Sequence, residues 1–372
     1  MKIVLNATCL NSHPSGARNR FVGIYQQIFK LCPEVDFIVF EPKDCSISSW
    51  FSRSFNVRYI KTGQSSENSI QRYLSGKLFW SRELNKINPD IFETYHLPLV
   101  KSPAGRTILT VHDIRYLRFP HLYSPFRRVV SRSLLRSALL RSDLVITVSN
   151  AIKKEILDFC PKANVKVIHN GIDPEAYHSL SGEDLSKIKE SLNLPQKFIL
   201  SVGHLEKRKN YPRLLEAISS LNLKGNNLFL CIVGNEGDDS KAILDKINEL
   251  KLINNVKLLK NLTDHEVRGL YRLCSLFVFP SLYEGFGIPI IEAMAAQCPM
   301  VLSDLPVFRE ITENQSLYFN ENDPELMARA ILKAYDSASE QKRLIEYGTK
   351  RVEMFKYDKL ARDLKQIYFD GV

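Results

Sequence analysis

The 372 residues contain no apolar run approaching the ~18 positions of a membrane-spanning helix. The chain enters a strand-like stretch at 2–7 without the long apolar segment and cleavage site of a signal peptide. Its seven cysteines form no closely spaced pair, which disfavours a disulfide scaffold and a cysteine-rich zinc site. These absences predict a cytoplasmic protein, and ~100–200 residues per domain predict about two domains.

Several motifs of nucleotide and metal chemistry are missing. The sequence has neither the Gly-x-Gly-x-x-Gly dinucleotide fingerprint nor the phosphate loop that ends in Gly-Lys-Ser/Thr. It also lacks Asp-x-Asp and any histidine–carboxylate group at metal-binding spacing, so we expect no bound metal and no other cofactor. No serine or cysteine lies in a nucleophile elbow, which disfavours a hydrolase.

Acidic residues are scarce in the first half of the chain. Residues 1–180 contain 25 Lys and Arg but only 14 Asp and Glu, whereas residues 181–372 contain 26 and 27. Nearly all of the net charge of +10 therefore belongs to the first half. This asymmetry predicts an anionic partner for that half, either nucleic acid, a membrane surface or a phosphorylated ligand.

Short β-branched and aromatic runs alternate with helix-length segments along the chain. Several runs are continuously apolar, as is typical of parallel strands covered on both faces. The alternation indicates βαβ units and a doubly wound α/β fold. The predicted strands form two series, at 2–7, 36–40, 57–60, 90–93, 107–111, 144–148 and 165–168, and at 198–202, 228–233, 256–259, 276–279 and 300–303.

The second series starts afresh near residue 197 and so defines two domains. A turn signal at 170–174, followed by a polar segment up to Pro195, predicts a linker over 174–196. We expect one Rossmann-like domain over 1–173 and a second over 197–356. Open α/β sheets bind ligands beyond the carboxyl ends of their strands, so two such domains facing each other would form a cleft lined by those loops.

The segment after the predicted strand 276–279 carries two glutamates on a glycine-bearing loop and a helix that starts near Pro289. Both carboxylates, Glu284 in the loop and Glu292 in the first turn, could accept hydrogen bonds from the hydroxyls of one polyol. Main-chain amides at a helix N-terminus suit a phosphate, and glycine permits close approach. Those amides would belong to Gly285, Phe286, Gly287 and Ile288. The alternative is a capped helix with two solvated glutamates.

A second candidate follows the predicted strand 198–202. The strand ends at Gly203, and the pair Arg208 and Lys209 precedes a helix predicted over 211–220. Two cations beside a helix N-terminus suit a diphosphate, because arginine bonds two oxygens and lysine supplies a point charge. The alternative is a solvated basic turn.

Two weaker candidates lie in the first half. His112 ends the predicted strand 107–111 and could bond a substrate, while Asp113 could orient it or cap the next segment. The loop after the first strand contains Gly16 in Ser-Gly-Ala-Arg, which could contact phosphate or substrate. For His112 the structural interpretation is the stronger one when the residue is taken alone.

The stretch 114–142 carries seven arginines and no acidic residue. Helical spacing predicts a basic amphipathic helix, which suits an anionic membrane surface. A solvated helix face is the equally weighted alternative. Nucleic acid has less support, because no recognised nucleic-acid-binding module accompanies the charge. The membrane or acceptor surface would comprise Arg127, Arg128, Arg132 and Arg136.

Taken together, these motifs resemble glycosyltransferase family 4, the retaining enzymes of the GT-B fold. The resemblance covers nearly the whole chain and is densest between residues 198 and 310. It rests on Val202-Gly203…Arg208-Lys209-Asn210, on Glu284-Gly-Phe-Gly-Ile-Pro-Ile-Ile-Glu292 and on His112-Asp113. It implies two Rossmann-like domains around a nucleotide-sugar cleft, with a C-terminal helix at about 357–372 packed back on the first domain.

The resemblance also implies a role for each matching residue. Arg208 and Lys209 would hold the donor diphosphate, and Glu292 would bind the ribose hydroxyls. Glu284 would bind the transferred sugar beside the amides of the 285–288 loop, with Gly203 preceding the cations. His112 would contact the sugar from the first domain, and Gly16 would line the phosphate or acceptor side. Family members transfer a sugar with retention of configuration, usually by a front-face departure without a protein nucleophile.

The resulting prediction is a hexosyltransferase of bacterial surface-polysaccharide assembly, working on the inner face of the cytoplasmic membrane. Its donor would be a GDP- or UDP-sugar, with a preference for mannose suggested by Glu-Lys-Arg-Lys-Asn at 206–210. Its acceptor would be a saccharide, or a sugar linked to a polyprenyl diphosphate or another anionic lipid carrier. The alternatives are another GT-B enzyme, namely a phosphorylase or nucleotide-sugar epimerase, and a non-enzymatic nucleic-acid-binding protein.

Overall fold

Thirteen β-strands among the described residues form two parallel sheets, and each sheet belongs to its own structural unit. The structure is a computed structural model that describes residues 1–12, 15–52, 54–67, 69–95, 99–119 and 124–370. The first unit contains Met1–Gly171 and the C-terminal segment from Tyr357, and the second contains Ile172–Lys356. The predicted α/β class with two Rossmann-like sheets is confirmed.

The first sheet has seven strands in the order β3-β2-β1-β4-β5-β6-β7. The strands are β1 (Lys2–Asn6), β2 (Asp36–Glu41), β3 (Val57–Lys61), β4 (Ile91–Thr94), β5 (Arg106–Val111), β6 (Leu144–Thr147) and β7 (Val165–Val167). Their connections contain α1 (Gly16–Leu31), α2 (Ser69–Ile87), α3 (Arg115–Arg118), α4 (Pro125–Arg141) and α5 (Asn150–Phe159), and a 3-10 turn at Ile47–Trp50. The order reverses between β1 and β4, where open sheets bind ligands.

The second sheet has six strands in the order β10-β9-β8-β11-β12-β13. The strands are β8 (Ile199–Val202), β9 (Leu230–Val233), β10 (Val256–Leu259), β11 (Leu276–Phe279), β12 (Met300–Ser303) and β13 (Leu317–Phe319). The helices are α6 (Glu175–His178), α7 (Gly182–Ser191), α8 (Tyr211–Leu223), α9 (Ser240–Glu249), α10 (Asp264–Leu273), α11 (Ile288–Ala295), α12 (Pro306–Ile311), α13 (Pro324–Asp336) and α14 (Ala338–Arg351), with 3-10 turns at Lys207–Lys209 and Val352–Phe355.

The final helix, α15 (Tyr357–Phe369), lies against α1 within the first unit. Its apolar face, which includes Leu360, Leu364 and Ile367, joins the core formed by α1 and the first sheet. Tyr368 is fully buried there, and its hydroxyl donates to Glu93 across 2.6 Å. This face explains why a charged helix at the end of the chain is bound to the first unit.

Two segments differ from the sequence-based expectation. Strand β13 was not predicted, because three apolar residues between Ser316 and Asn320 are too few to indicate a strand. Residues 174–196, for which a linker was expected, form α6 and α7 and are part of the second unit. Ser181 and Asp184 form a capping box at the start of α7, and Ile188 is buried. The polar composition of this segment reflects surface helices.

None of the described helices is both long enough and apolar enough to span a bilayer. The seven cysteines are free thiols.

Candidate functional site

Three predicted site residues form one charged cluster in the second unit. Arg208 Nη1 and Lys209 Nζ each lie 2.7 Å from Oε1 of Glu284. The hydroxyl of Ser281 donates to the same oxygen across 3.0 Å. Arg208 also bonds to Oε2 of Glu206 through its Nε, at 2.6 Å. The cluster therefore balances two cations against two carboxylates.

The sheet order brings these residues together. Strands β8 and β11 are direct neighbours, so the loops after them leave the same edge of the sheet. The 3-10 turn after β8 carries Arg208 and Lys209, and Glu284 lies in the loop after β11. The main-chain N–H of Leu282 donates to the carbonyl oxygen of Arg208 across 2.7 Å, which ties the two loops to each other.

Burial and charge set the protonation of this cluster. Burial acts to raise the pKa of Glu284, but Lys209 and Arg208 outweigh it and hold that pKa below its ordinary value. Burial lowers the pKa of Lys209, and Glu284 counteracts this effect. Lys209 is only 5% exposed, and its Nζ lies 4.6 Å from the ring centroid of Phe279. The ammonium therefore depends on Glu284 and on the aromatic ring for its stability.

Gly203 provides the space that Lys209 occupies. Its φ of +151° is a backbone conformation that L side chains rarely adopt, and a Cβ would lie 2.6 Å from Cε of Lys209. The Gly203 carbonyl accepts a hydrogen bond of 2.7 Å from the Tyr211 hydroxyl at the start of α8. A larger residue at this position would displace the buried lysine.

Glu292 lies in the second turn of α11 rather than in the predicted first turn, because the helix begins at Ile288. The hydroxyl of Tyr271, on α10, donates to its Oε2 across 2.9 Å. Burial raises the pKa of Glu292, although the bonds from Tyr271 and Tyr177 oppose the shift. The carboxylate is thus oriented by protein hydroxyls and can accept further hydroxyl donors.

The loop from Gly285 to Ile288 leads directly into α11. Gly287 precedes the helix at a φ of +112°, which favours glycine. Phe286 is buried, and its ring contacts that of Phe355 edge-on, with 5.8 Å between the ring centroids. The ring is therefore part of the core. Gly285 is half-buried. In the part of the chain that the structure describes, no group of three or more His, Cys, Asp and Glu side chains could hold a metal ion.

His112 follows β5 in the first unit. Its ring stacks on Tyr95 with 6.0 Å between centroids, and its Nε2 is buried without a hydrogen-bond partner among the described residues. Burial, with a smaller effect of Arg20, lowers its pKa to about 3, so the imidazole is neutral. Asp113 Oδ1 accepts from the Arg115 N–H across 3.1 Å and therefore caps α3 instead of orienting His112.

Gly16 is the first residue of α1 in the same unit. Ser15 caps this helix, because its hydroxyl oxygen accepts from the Arg18 N–H across 3.2 Å. The loop before Ser15 includes residues 13 and 14, which lie outside the described residues.

The four predicted surface arginines, Arg127, Arg128, Arg132 and Arg136, are all exposed on α4. Leu135 and Leu139 bury the opposite face of this helix in the core. Phe126 and Val129 are 79% and 69% exposed, so the basic surface also presents apolar side chains. The guanidinium of Arg132 lies 5.1 Å from the ring centroid of Phe159.

Four site residues were missed from the sequence. Glu206 and Ser281 complete the charged cluster, and Tyr271 orients Glu292. Arg20, on α1, influences the pKa of His112. Glu206 stood inside the basic motif and could have been chosen as its counter-charge. The other three carry no local signal, because their roles depend on which helices and loops the sheet brings together.

Two family models match the chain, "Glycosyl transferases group 1" over residues 183–351 and "Glycosyltransferase Family 4" over residues 29–176. The chain is 31% identical over 239 residues to the O-antigen chain mannosyltransferase RfbU of Salmonella typhimurium, a match that covers 64% of this chain and 62% of RfbU. It thus spans about three fifths of the length of that relative.

A Campylobacter jejuni enzyme, the N-acetylgalactosamine-N,N'-diacetylbacillosaminyl-diphospho-undecaprenol 4-alpha-N-acetylgalactosaminyltransferase, is 26% identical over 304 residues, with 78% of each chain covered. The structure of Anabaena HepE in complex with UDP and glucose matches 99% of each chain, at a TM-score of 0.75 and 18% identity. That likeness concerns the fold. From the two family models and the two parallel-sheet units, the chain belongs to the family 4 glycosyltransferases of the GT-B type.

Proposed function

We propose that this protein transfers a hexose from a nucleotide-diphosphate sugar to a saccharide or lipid-linked acceptor, with retention of anomeric configuration, in bacterial surface-polysaccharide biosynthesis. The observation that carries the proposal is the contact of Arg208 and Lys209 with a single oxygen of Glu284, at 2.7 Å each. This cluster combines a site for a diphosphate with a carboxylate for sugar hydroxyls.

Arg208 and Lys209 would bind the diphosphate of the donor. The lysine ammonium is buried and so provides a desolvated positive charge, while arginine can bond two phosphate oxygens. As the bond between sugar and phosphate breaks, negative charge grows on the departing diphosphate. The two cations would stabilise that charge without reorganisation, which is usually the largest contribution to catalysis.

Glu284 would bind the transferred sugar. Among the described residues, the side chains of Arg208, Lys209 and Ser281 donate to it, and all three bonds end at Oε1. Its Oε2 can therefore accept from a sugar hydroxyl while Oε1 keeps the cations in place. One carboxylate would link the sugar to the diphosphate-binding cations, and so align the bond that breaks.

We place Glu292 at the ribose hydroxyls. Tyr271 donates to its Oε2, and the carboxylate would accept further hydrogen bonds from the nucleoside. The amides of Gly285, Phe286, Gly287 and Ile288 would lie near the phosphates, where a helix N-terminus favours negative charge. Gly203 would contribute by leaving room for Lys209.

The first unit would contribute His112 and the Gly16 loop. His112 is neutral because burial and Arg20 lower its pKa, so it would exchange hydrogen bonds with the transferred sugar rather than supply charge. The acceptor hydroxyl would attack on the face from which the diphosphate departs and give its proton to a departing phosphate oxygen. In this mechanism no protein nucleophile, metal or other cofactor takes part.

The proposed sugar is mannose, with GDP-mannose as the first candidate donor and UDP-sugars as the second. Support comes from the name of RfbU, an O-antigen chain mannosyltransferase, and from the Glu-Lys-Arg-Lys-Asn sequence at 206–210. The relative from Campylobacter jejuni is named for an acceptor on diphospho-undecaprenol. We therefore propose a polyprenyl-diphosphate-linked saccharide as the acceptor.

We further propose that the enzyme works in the cytoplasm and binds the anionic inner face of the cytoplasmic membrane through α4. This helix presents Arg127, Arg128, Arg132 and Arg136 together with the exposed Phe126 and Val129. Basic side chains bind anionic headgroups, and apolar ones insert at the interface. A lipid-linked acceptor would be collected at that surface. Nucleic acid is not a proposed partner.

The test is transfer itself. The protein is incubated with membranes from a polysaccharide-producing bacterium and labelled GDP-mannose, UDP-glucose or UDP-N-acetylgalactosamine, and label is measured in the lipid extract. We expect lipid-linked label from one donor. Release of a sugar phosphate that requires added phosphate would instead identify a phosphorylase, and conversion of the donor without an acceptor would identify an epimerase. Salt-sensitive binding of RNA or DNA without turnover would favour the nucleic-acid alternative.

A further inference from the structure

Arg20, in the second turn of α1, is a buried cation that pairs with no carboxylate among the described residues. It is 3% exposed. Its Nη1 donates to the main-chain oxygen of His169, while its Nε is buried and has no hydrogen-bond partner in the part of the chain that the structure describes. None of the ion pairs formed among the described residues includes Arg20. A guanidinium keeps its proton in proteins, so Arg20 cannot avoid the free-energy cost of a buried charge by becoming neutral.

The buried carboxylate in this region is engaged elsewhere. Glu93 is 1% exposed, and Thr110 donates to its Oε1 across 3.1 Å. Tyr368, on α15, donates to its Oε2 across 2.6 Å. This carboxylate is satisfied by hydroxyls, and it makes no ion pair with Arg20.

Nε2 of His112 and Oδ1 of Asn170 are among the buried polar atoms beyond the carboxyl ends of the first sheet that have no hydrogen-bond partner in the described part of the chain. His112 follows β5, and Asn170 follows β7. Asn170 is the next residue after His169, whose carbonyl Arg20 contacts. Arg20 also acts electrostatically on His112. Most buried polar groups in proteins are hydrogen-bonded, so a set of orphaned atoms beside an unpaired cation points to a missing ligand.

We propose that Arg20 binds a phosphate oxyanion at the carboxyl edge of the first sheet, with His112 and Asn170 bonding the hydroxyl groups next to it. The ligand is a phosphorylated polyol. Within the proposed function its phosphate has two sources, the diphosphate of the nucleotide sugar and the diphosphate of a lipid-linked acceptor. The identity of the source rests on that proposed function, whereas the binding of an oxyanion does not.

The test uses the whole chain and inorganic pyrophosphate as the probe. Hydrogen–deuterium exchange is followed in peptides from α1 and from residues 165–171, in wild type, Arg20→Met and Arg20→Lys. The matched control is Arg58→Met, which removes an exposed arginine of the same unit that pairs with Asp36. We expect pyrophosphate to slow exchange in these peptides of wild type and Arg58→Met, and not of Arg20→Met.

Thermal unfolding without polyvalent anions separates binding from a structural role. If Arg20 serves a ligand, Arg20→Met unfolds at the wild-type temperature or above, because an unpaired buried charge has been removed. A lower unfolding temperature, combined with unchanged pyrophosphate protection, would make Arg20 a structural support of His169 and overturn the proposal. If Arg20→Met does not fold, Arg20→Lys is the deciding variant. We expect Arg20→Lys to need at least about tenfold more pyrophosphate than wild type for the same protection.

Two ligand arms distinguish the sources of the phosphate. GDP or UDP and farnesyl diphosphate are compared for protection of the same peptides. If Arg20→Lys loses protection by the nucleotide, the phosphate bound by Arg20 belongs to the donor. If it loses protection by farnesyl diphosphate, that phosphate belongs to the acceptor. Neither arm requires sugar transfer. Absence of turnover would therefore refute the proposed function alone, whereas absence of any Arg20-dependent protection would refute the oxyanion site alone.

Discussion

Lys209 Nζ lies 2.7 Å from Oε1 of Glu284, although 75 positions separate the two residues in the chain. The two loops that carry them follow β8 and β11, which pair directly in the second sheet. Both charges are largely buried, so their removal from water costs free energy. The attraction between them offsets part of this desolvation cost, and a bound ligand would offset more. This arrangement is expected where a substrate uses both groups.

The first prediction concerns Glu284→Gln. Removing this negative charge leaves Arg208 and the buried Lys209 without the Glu284 counter-charge, which the diphosphate would then supply, so the affinity for a nucleoside diphosphate should stay the same or increase. Transfer should fall by at least about a hundredfold, because the sugar loses its charged acceptor of hydrogen bonds. Calorimetric titration with GDP and UDP measures the first effect, and initial rates with the active donor measure the second.

The control for this variant is Glu236→Gln, which removes an exposed glutamate of the same unit that pairs with Lys260 at 2.7 Å. It should leave affinity and rate unchanged. Transfer by Glu284→Gln at the wild-type rate would remove Glu284 from the mechanism.

The second prediction concerns the contact between Tyr271 and Glu292. Glu292→Gln should weaken binding of the nucleotide at least about tenfold and change the maximal rate little, because the ribose is remote from the bond that breaks. Tyr271→Phe should have the same effect in smaller measure, since it removes only the hydroxyl that orients the carboxylate. Tyr347→Phe is the matched control, because its hydroxyl bonds to Glu313 at the surface, at 3.1 Å. A loss of rate with unchanged affinity would contradict the assignment.

The third prediction concerns pH. His112 has a folded pKa of about 3 against an ordinary value of 6.5, so the unfolded chain binds the proton first as the pH falls. Its contribution to the free energy of unfolding is complete above about pH 6.5 and decreases by about 1–2 kcal/mol at about pH 5. Trp50 and Trp80, the two tryptophans of the chain, both lie in the first unit, so their fluorescence reports its unfolding in urea.

Wild type should therefore lose more stability between about pH 7.5 and about pH 5 than His112→Gln does. Equal losses in the two proteins would show that His112 titrates normally in the folded state.

The fourth prediction concerns the basic face of α4. Reversing two charges, in Arg128→Glu combined with Arg132→Glu, should abolish sedimentation with vesicles that contain phosphatidylglycerol, and added salt should do the same to wild type. Phe126→Ser should weaken the binding that remains in salt. Lys154→Glu combined with Lys162→Glu places the same charge change on exposed lysines of the same unit. Equal loss in this control would indicate that net charge, and not α4, attracts the protein.

Much of this molecule could be predicted from its sequence. Short β-branched and aromatic runs indicated twelve of the thirteen strands among the described residues, and the glycine-bearing loops after strands indicated Glu284 and Lys209 as candidate site residues. Direct contact between those two residues could not be predicted, because it depends on which strands are neighbours. Arg20 was missed for a related reason. A buried arginine has the same sequence signature as a solvated one, and only the fold shows that the Nε of Arg20 has no hydrogen-bond partner among the described residues.

The proposed transfer depends on the binding of a nucleoside diphosphate by Lys209 and Arg208. The most direct measurement is thermal unfolding of wild type, Lys209→Met and Lys207→Met with UDP, GDP, ADP, CMP and no ligand. Lys207 is the matched control, because it is exposed and lies two positions away in the same turn. Ligand at a hundred times its dissociation constant should stabilise wild type and Lys207→Met by about 2.7 kcal/mol, and Lys209→Met far less. Equal stabilisation of all three proteins, or of none of them, would contradict the binding of a nucleoside diphosphate by Lys209.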